Sequence, residues 1–465
     1  MVAIVCALAT AVGFYFSIGL GEQWWLAWLA PLPVVWLAFR RETPWWAAFL
    51  AAWAGYSLGA TSMLRAYLGV LPDFVLISGL VFPGFFFAVA VSAGRLTAHR
   101  IAPLVGALTF AALWAGFDFL GSFNAGGGAV ATPATAEVFA PALMQVASLV
   151  GIWGITFLLG FVPAGIAASI TSRSPMPAIV AVAVFAANAV FGFARMSAPE
   201  ETLRVALINT DVMQKAAESN NEKDTRDTVD AYVQQIAALK GKGIKLIVLP
   251  EKLAIVQTAW QPEAKAKLAG AAKDVGAVLV AGFDARDGAK AYNVSWAYTP
   301  QGTGPTIYTK RQLVPGLELR YTRGPGPLAM TDGMGLEICK DMDFQAMVRS
   351  DMVATKPRLL AVPAWDFVTD ASNHAKSALL RTVENGVPMA RTARNGLLTL
   401  NDKYGRVVAM KVTGGSEFDV LVGDLPLNGH GGETLYDKIG DAFGWLCLVI
   451  GLGFAGFSLV RRRAA

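Results

Sequence analysis

Cysteine and histidine are scarce: three of each occur in 465 residues. Cys6, Cys339 and Cys447 are too few for a disulfide framework, and the first and last lie in apolar stretches, so Cys339 reads as a free thiol in a polar context. Residues 1–199 contain no lysine and only 12 charged side chains, whereas the remaining 266 residues carry the other 61. The net charge of +5 is not organised as a basic stripe interleaved with aromatics, so no nucleic-acid partner is expected. No cluster with metal-ligand spacing and no glycine-rich phosphate loop stands out, so neither a metal nor a nucleotide cofactor is expected. The opening MVAIVCALAT lacks a basic n-region and reads as an uncleaved helix, not a signal peptide.

What is abundant is apolar surface. The chain is 54% hydrophobic with a mean hydropathy of +0.47, too apolar for an ordinary soluble protein, and a membrane is implied before any motif is read. Apolar runs suited to crossing a bilayer lie near residues 2–20, 24–39, 46–68, 74–94, 101–122, 144–168, 177–194 and 443–460. The second is short and interrupted by proline. If each run spans, Arg40 with Arg41, Arg95 with Arg100, Arg173, and Arg461 to Arg463 share one side, which positive-inside reasoning makes cytoplasmic. The segment between the seventh and eighth spans is then extracytoplasmic. Trp24-Trp25 and Trp45-Trp46 suit interfacial belts, with core packing as the alternative. The expected organisation is a transmembrane domain of about seven helices over 1–198, an extracytoplasmic domain over 199–430, and a final transmembrane helix over 441–462 with a cytoplasmic arginine tail.

From Leu203 the pattern alternates short β-like runs with amphipathic stretches, as in LRVALINTDV, TRDTVDAYVQQIAALK and IKLIVLPEKL. AVLVAGFDA, AYNVSWAYT, TIYTKRQL, GLEICKDM, PRLLAVPAWDF, GLLTLND and VVAMKV are further strand candidates, and 261–274 and 370–386 have helical periodicity. This is an α/β domain. The stretch NAGGGAVATPATA at 124–136 reads as an exposed loop, with Glu137 after it as a solvated acid.

Three reactive side chains follow strand-like runs in this domain: Glu251 after LIVLP, Lys310 in TIYTKRQLVPGLE and Cys339 in GLEICKDMDF. A thiol needs a base to become a nucleophile, and the oxyanion it generates needs positive charge. Glutamate and lysine suit those two tasks. His374 and His430 are the domain's only histidines, and spacing alone leaves His374 open as a base. Each residue also has a plain structural reading: Cys339 as a small buried hydrophobe, Glu251 as an ion-pair partner at a strand end, Lys310 as a surface charge. Asp341 and Asp343 either line the pocket or cap the following helix.

LPEK, YTKRQLVPGLE and ICKDMDF, in this order behind a multi-helix membrane domain, resemble the carbon-nitrogen hydrolase (nitrilase) superfamily and, within it, the apolipoprotein N-acyltransferase family. The likeness continues through PAWDF, SNHAKSALLRTVENGVPMARTARNG and the final helix with its arginine tail. The resemblance implies a nitrilase-like αββα sandwich behind a multi-pass helical membrane domain. It implies Glu251 as general base, Lys310 at the oxyanion, Cys339 as the residue that forms a thioester, and Glu318 as a second acid orienting Lys310. Trp365, Lys340 and Asp341 are expected at the substrate. The partners implied are a phospholipid acyl donor and an amine acceptor, foremost a lipoprotein N-terminus, handled by a monomer in the bacterial inner membrane with its catalytic domain periplasmic. No cofactor is expected. A membrane-bound amidase or hydrolase using the same trio is the alternative. The sequence departs from the acyltransferase pattern where Lys340-Asp341 replace an aromatic residue and glutamate after the nucleophile.

Overall fold

A computed structural model describes the chain except residues 70, 125, 197–200, 329, 331–332, 428–430 and 461–465; the side chain of residue 64 is likewise set aside. His430 and the arginine tail therefore lie outside the described residues. The chain divides into two compact units, residues 1–197 with 439–465, and 198–438.

The first unit is a helical bundle. Among the described residues, five helices are long and apolar enough to cross a membrane: Asp73–Arg100, Pro103–Gly121, Ile152–Ser172, Met176–Arg195 and Ala442–Val460. The other three expected spans differ. Val2–Ser17 and Trp45–Gly59 are shorter, and the run at 24–39 breaks into Trp24–Ala27 and Leu32–Phe39, with Pro31 and Pro33 at the start of the second piece. A proline's missing N–H and fixed φ favour such a start and resist continuation of the preceding helix. The run at 144–168 likewise starts its long helix only at Ile152, after Gly151 turns the backbone at a φ of +72°.

Small residues bring these helices together. A Cβ on Gly106 would sit 2.7 Å from the carbonyl oxygen of Gly94, and one on Gly94 would sit 2.8 Å from Cβ of Phe110, so two helices meet nearly backbone to backbone. Phe14, Tyr56, Phe87 and Trp114 fill the interior, with ring centroids 4.9 Å (Phe14–Tyr56) and 5.2 Å (Phe87–Trp114) apart. Trp25, Trp45 and Trp46 are exposed on the bundle surface, not packed inside. Arg95 donates to the carbonyls of Arg40 and Thr43, and Arg100 to that of Ser458, which gathers these segments at one end of the bundle. The loop expected at 124–136 holds only in its first part, where 126–131 are turns and Asn124, Gly126 and Ala131 are exposed; from Thr132 to Glu137 the chain is buried. Pro133–Phe139 is a short 3₁₀ helix capped by Thr132, whose hydroxyl also donates to Asp118, and Glu137 is wholly buried.

Among the described residues the second unit holds twelve strands: β1 (Thr202–Asn209), β2 (Leu246–Val248), β3 (Ile255–Gln257), β4 (Val278–Asp287), β5 (Lys290–Tyr298), β6 (Thr306–Thr309), β7 (Met334–Leu336), β8 (Leu359–Trp365), β9 (Met389–Arg394), β10 (Leu397–Asn401), β11 (Val407–Val412) and β12 (Asp419–Pro426). They form a seven-stranded sheet in the order β12-β1-β2-β4-β5-β6, with β3 also on β4, and a five-stranded sheet in the order β11-β10-β9-β8-β7. Period-two alternation explains the layering. Val205, Leu207, Leu246, Val248 and Val280 of one sheet pack against Leu336, Leu359, Ala361 and Ala390 of the other. The intervening Ala206, Ile208, Ile247, Leu279 and Ala281 face outward onto the helices Glu222–Ala237 and Gln261–Val275. Leu360, Val362 and Met389 of the second sheet face Gln345–Thr355 and Ala371–Asn385. The result is an αββα sandwich. The first strands of each sheet run parallel, β1 with β2 and β4, β7 with β8 and β9, so their C-terminal ends collect along one edge.

Candidate active site

Glu251 follows β2 and the Leu249-Pro250 pair, Lys310 is the residue after β6, and Cys339 lies just beyond β7. The strand-like run around Cys339 ends earlier than its apolar character suggests. β7 stops at Leu336, and Cys339 opens a 3₁₀ turn over Cys339–Asp343 with a φ of +44°. Left-handed backbone at a non-glycine residue costs on the order of 1–3 kcal/mol and persists only where the surroundings hold it. Here Asp341 does the holding. Its carboxylate accepts from the backbone N–H of Ile338 at 3.1 Å and of Gln312 at 2.7 Å, and from the hydroxyl of Tyr308 at 2.9 Å. Asp341 is fully buried; its bond to the Ile338 N–H is the capping role expected of it as the alternative to lining the pocket, and it also braces the Cys339 turn against the loop after β6.

Lys310 is sealed in the interior between two acids. Its Nζ lies 2.9 Å from Glu251 Oε1 and 3.0 Å from Glu318 Oε2. Burial alone would pull the ammonium's pKa down; the carboxylates of Glu251 and Glu318 outweigh that and hold it well above the ordinary lysine value. Glu318 also accepts from the backbone N–H of Val314 at 2.9 Å and from Lys252 at 3.0 Å. Burial raises its pKa, but Lys310 and Lys252 prevail and bring it to about 2. Two members of this cluster, Asn293 and the lysine of LPEK, are given no role in the motif reading. Asn293, on β5, donates to Glu251 at 2.5 Å and to Glu318 at 2.9 Å, and Lys252 reaches Glu318 from the residue after Glu251. Asparagine inside an otherwise apolar strand, AYNVSWAYT, was the available signal for the first.

Cys339 is half-buried, and its Sγ is 3.6 Å from the carbonyl oxygen of Trp365. Burial, and next the Glu251 carboxylate, push the thiol well above the ordinary cysteine pKa, while Lys310 and Arg391 pull the other way. The resting group is thus a thiol, and it needs a base at the moment of attack. Glu251, Lys310 and Cys339 share one electrostatic site, with Glu318 behind Lys310.

Trp365 ends β8 as one wall, with the Lys252 ammonium 5.2 Å and the Arg394 guanidinium 4.7 Å from its ring centroid. Lys340 points into a second network: its Nζ is 3.6 Å from Asp343, which faces His374 at 3.3 Å. His374 also lies 3.1 Å from Asp370. Although burial opposes it, these two acids keep the imidazole charged well above its usual range, so His374 is an ion-pair partner and poorly suited to be a base. Arg391 and Asp366 form a further buried pair at 2.5 Å. Among the described residues no group of three potential metal ligands occurs.

An αββα sandwich with these groups at its strand ends, joined to a helical membrane unit, is a membrane-anchored nitrilase-type domain. Residues 204–425 match the carbon-nitrogen hydrolase family, and residues 7–165 match the apolipoprotein N-acyltransferase N-terminal domain. The apolipoprotein N-acyltransferase of Geobacter metallireducens is 26% identical over 91% of this chain and 89% of its own length. The protein of that name from Agrobacterium fabrum is 26% identical over 70% of this chain and 68% of its own. Among solved structures, an amidase from Nesterenkonia sp. aligns with 50% of this chain and 92% of its own at 21% identity and a TM-score of 0.42. The chain thus carries a carbon-nitrogen hydrolase domain behind an apolipoprotein N-acyltransferase N-terminal domain.

Proposed function

We propose that this protein is an N-acyltransferase that moves a fatty acyl chain from a membrane phospholipid, through a thioester on Cys339, to an amine, the N-terminal diacylglyceryl-cysteine of a lipoprotein. The observation that carries this reading is the buried Glu251–Lys310–Glu318 cluster coupled to a strained, half-buried thiol, in a chain whose membrane unit matches the acyltransferase family.

In the first half-reaction Cys339 Sγ bonds to the ester carbonyl carbon as its proton passes to Glu251, and Lys310 meets the oxyanion. Collapse breaks the ester C–O bond, and the leaving lysophospholipid oxygen takes the proton from Glu251. In the second, the amine attacks the thioester, Glu251 accepts its proton, and the thiolate leaves and is reprotonated. This is ping-pong chemistry. A lipid donor explains the anchor, since at about 0.8 kcal/mol per buried CH₂ an acyl chain stays in hydrocarbon and the enzyme must come to it. The reading places the protein in a bacterial inner membrane with the catalytic unit periplasmic, on the positive-inside rule applied to Arg40, Arg41, Arg95, Arg100 and Arg173. One chain supplies every group used, so a monomer suffices.

The test is mass spectrometry of Cys339 after the purified protein meets phospholipid, then lipopeptide. An acyl adduct that is absent in Cys339→Ala and discharges onto the peptide amine is expected. Free fatty acid with no N-acylated peptide would make the protein a hydrolase.

A further inference from the structure

An ammonium held 2.9 Å from one carboxylate and 3.0 Å from another has little positive field left for an oxyanion. Lys252 alters that balance. Its Nζ lies 3.0 Å from Glu318 Oε1 and 4.0 Å from Glu251 Oε1. The rings of Tyr321 and Trp365 flank it at 5.5 and 5.2 Å, and only 17% of the side chain is exposed. Its backbone sits at a φ of +47°. Gly282 of β4 packs so closely on this turn that a Cβ there would come within 2.5 Å of Pro250 O and 2.9 Å of Lys252 N. A surface lysine would need none of this.

We infer that Lys252 is a positioning residue for Lys310: it neutralises Glu318, so that Lys310 keeps its charge for the oxyanion and Glu251 stays available to take the thiol proton. The inference rests on the acyl-transfer reading and names a group that reading does not use. The charged and titratable groups around Lys252 are Glu251 after β2, Glu318 and Tyr321 in the loop after β6, and Arg394 of β9, which donates to the Lys252 carbonyl at 3.4 Å; Glu251 and Lys310, which Glu318 joins to Lys252, act in turn on Cys339. Lys252 and Lys310 balance Glu251 and Glu318. Without the Lys252 charge, Lys310, Glu251 and Glu318 sum to one negative charge, hold protons more tightly, and must reach higher pH before the thiol can be deprotonated.

The full-length protein, Lys252→Met and Lys252→Arg are compared in two assays. The first is the pH dependence of Cys339 alkylation by iodoacetamide, read at the Cys339 peptide, which needs no acyl donor. The methionine variant is expected to shift the profile to higher pH and the arginine variant to restore it. An unchanged profile, or equal shifts and equal loss of thermal stability in both variants, overturns the inference whether or not any acyl group is transferred. The second assay uses a phospholipid and a neutral p-nitrophenyl fatty ester. Lys252→Met is expected to lower kcat about 10- to 100-fold with both donors and to leave KM nearly unchanged. A KM rise confined to the phospholipid would mean that Lys252 binds the donor's phosphate directly, and overturns the positioning role. A normal alkylation shift with no transfer to any amine would leave this inference standing and defeat the proposed function.

Discussion

Glu251 Oε1 and Lys310 Nζ lie 2.9 Å apart with side-chain exposures of 2% and 1%, so the proposed base and the ammonium are fixed by one another before any substrate arrives. Asn293 adds a second donor to the same glutamate oxygen. Glu251→Gln keeps the shape and removes the proton acceptor. Acyl-enzyme formation, measured by rapid quench with a fluorescent phospholipid, is expected to fall about 10²- to 10⁴-fold with the fold retained. A wild-type rate would remove Glu251 from the reaction.

Glu318 makes an acid-side prediction. Burial raises its pKa, but Lys310 and Lys252 bring it to about 2, below the ordinary glutamate value of 4.5. A depressed carboxylate contributes stability that is present above the unfolded pKa and is lost as pH falls through the folded one. The contribution therefore fades between about pH 4.5 and about pH 2. Glu318→Gln should melt lower than wild type at pH 7, and the gap should close as melting is repeated toward pH 2. A gap independent of pH would show that shape, not charge, is what Glu318 provides.

The contrast between Glu318 and Asp341 shows how much of this protein is legible in its sequence. The sandwich could be read because β1, β2 and β4 alternate apolar residues between two buried faces, and the reactive trio because each member follows such a run. Glu318 was reached only through resemblance. Asp341 and Asn293 are polar groups whose partners are 29 and 42 residues away, at Gln312 and Glu251, and no local periodicity encodes such closures. β9 and β12 also escaped notice. β9 reads MARTAR, in which buried Arg391 and Arg394 look like solvent-facing positions until Asp366 and Trp365 are placed beside them. In the membrane unit hydropathy located the helices, but prolines and Gly151 set where they begin.

Asp341 as a brace leads to a different outcome from Asp341 as a substrate contact. Asp341→Ala strands the N–H groups of Ile338 and Gln312, each buried unsatisfied donor costing about 1–3 kcal/mol, and leaves the Tyr308 hydroxyl with Glu337 at 2.8 Å as its remaining acceptor. The variant should lose several degrees in melting temperature and much of its kcat, with the KM for donor little changed. Asp341→Asn keeps an acceptor and should recover part of both. A rise in KM with unaltered melting would return Asp341 to the substrate.

His374 carries the opposite pH sign. Its ring nitrogens lie 3.3 Å from Asp343 and 3.1 Å from Asp370, and these acids hold its pKa well above 6.5 against the effect of burial. A raised histidine pKa contributes stability that is fully present below the unfolded value and disappears as pH rises through the folded one. His374→Gln leaves Asp343 and Asp370 without the cation between them; removing one partner of a buried pair typically costs about 3–5 kcal/mol. Lys340, 3.6 Å from Asp343, and Arg391 remain as cations on that side and should soften the loss. Melting of wild type and variant should therefore differ most near pH 6 and converge in strongly alkaline buffer, where the wild-type imidazole has lost its proton. The same variant should still be acylated on Cys339, because His374 is committed to its two acids and takes no proton from the thiol. Loss of acylation in a variant that melts like wild type would make His374 the base after all.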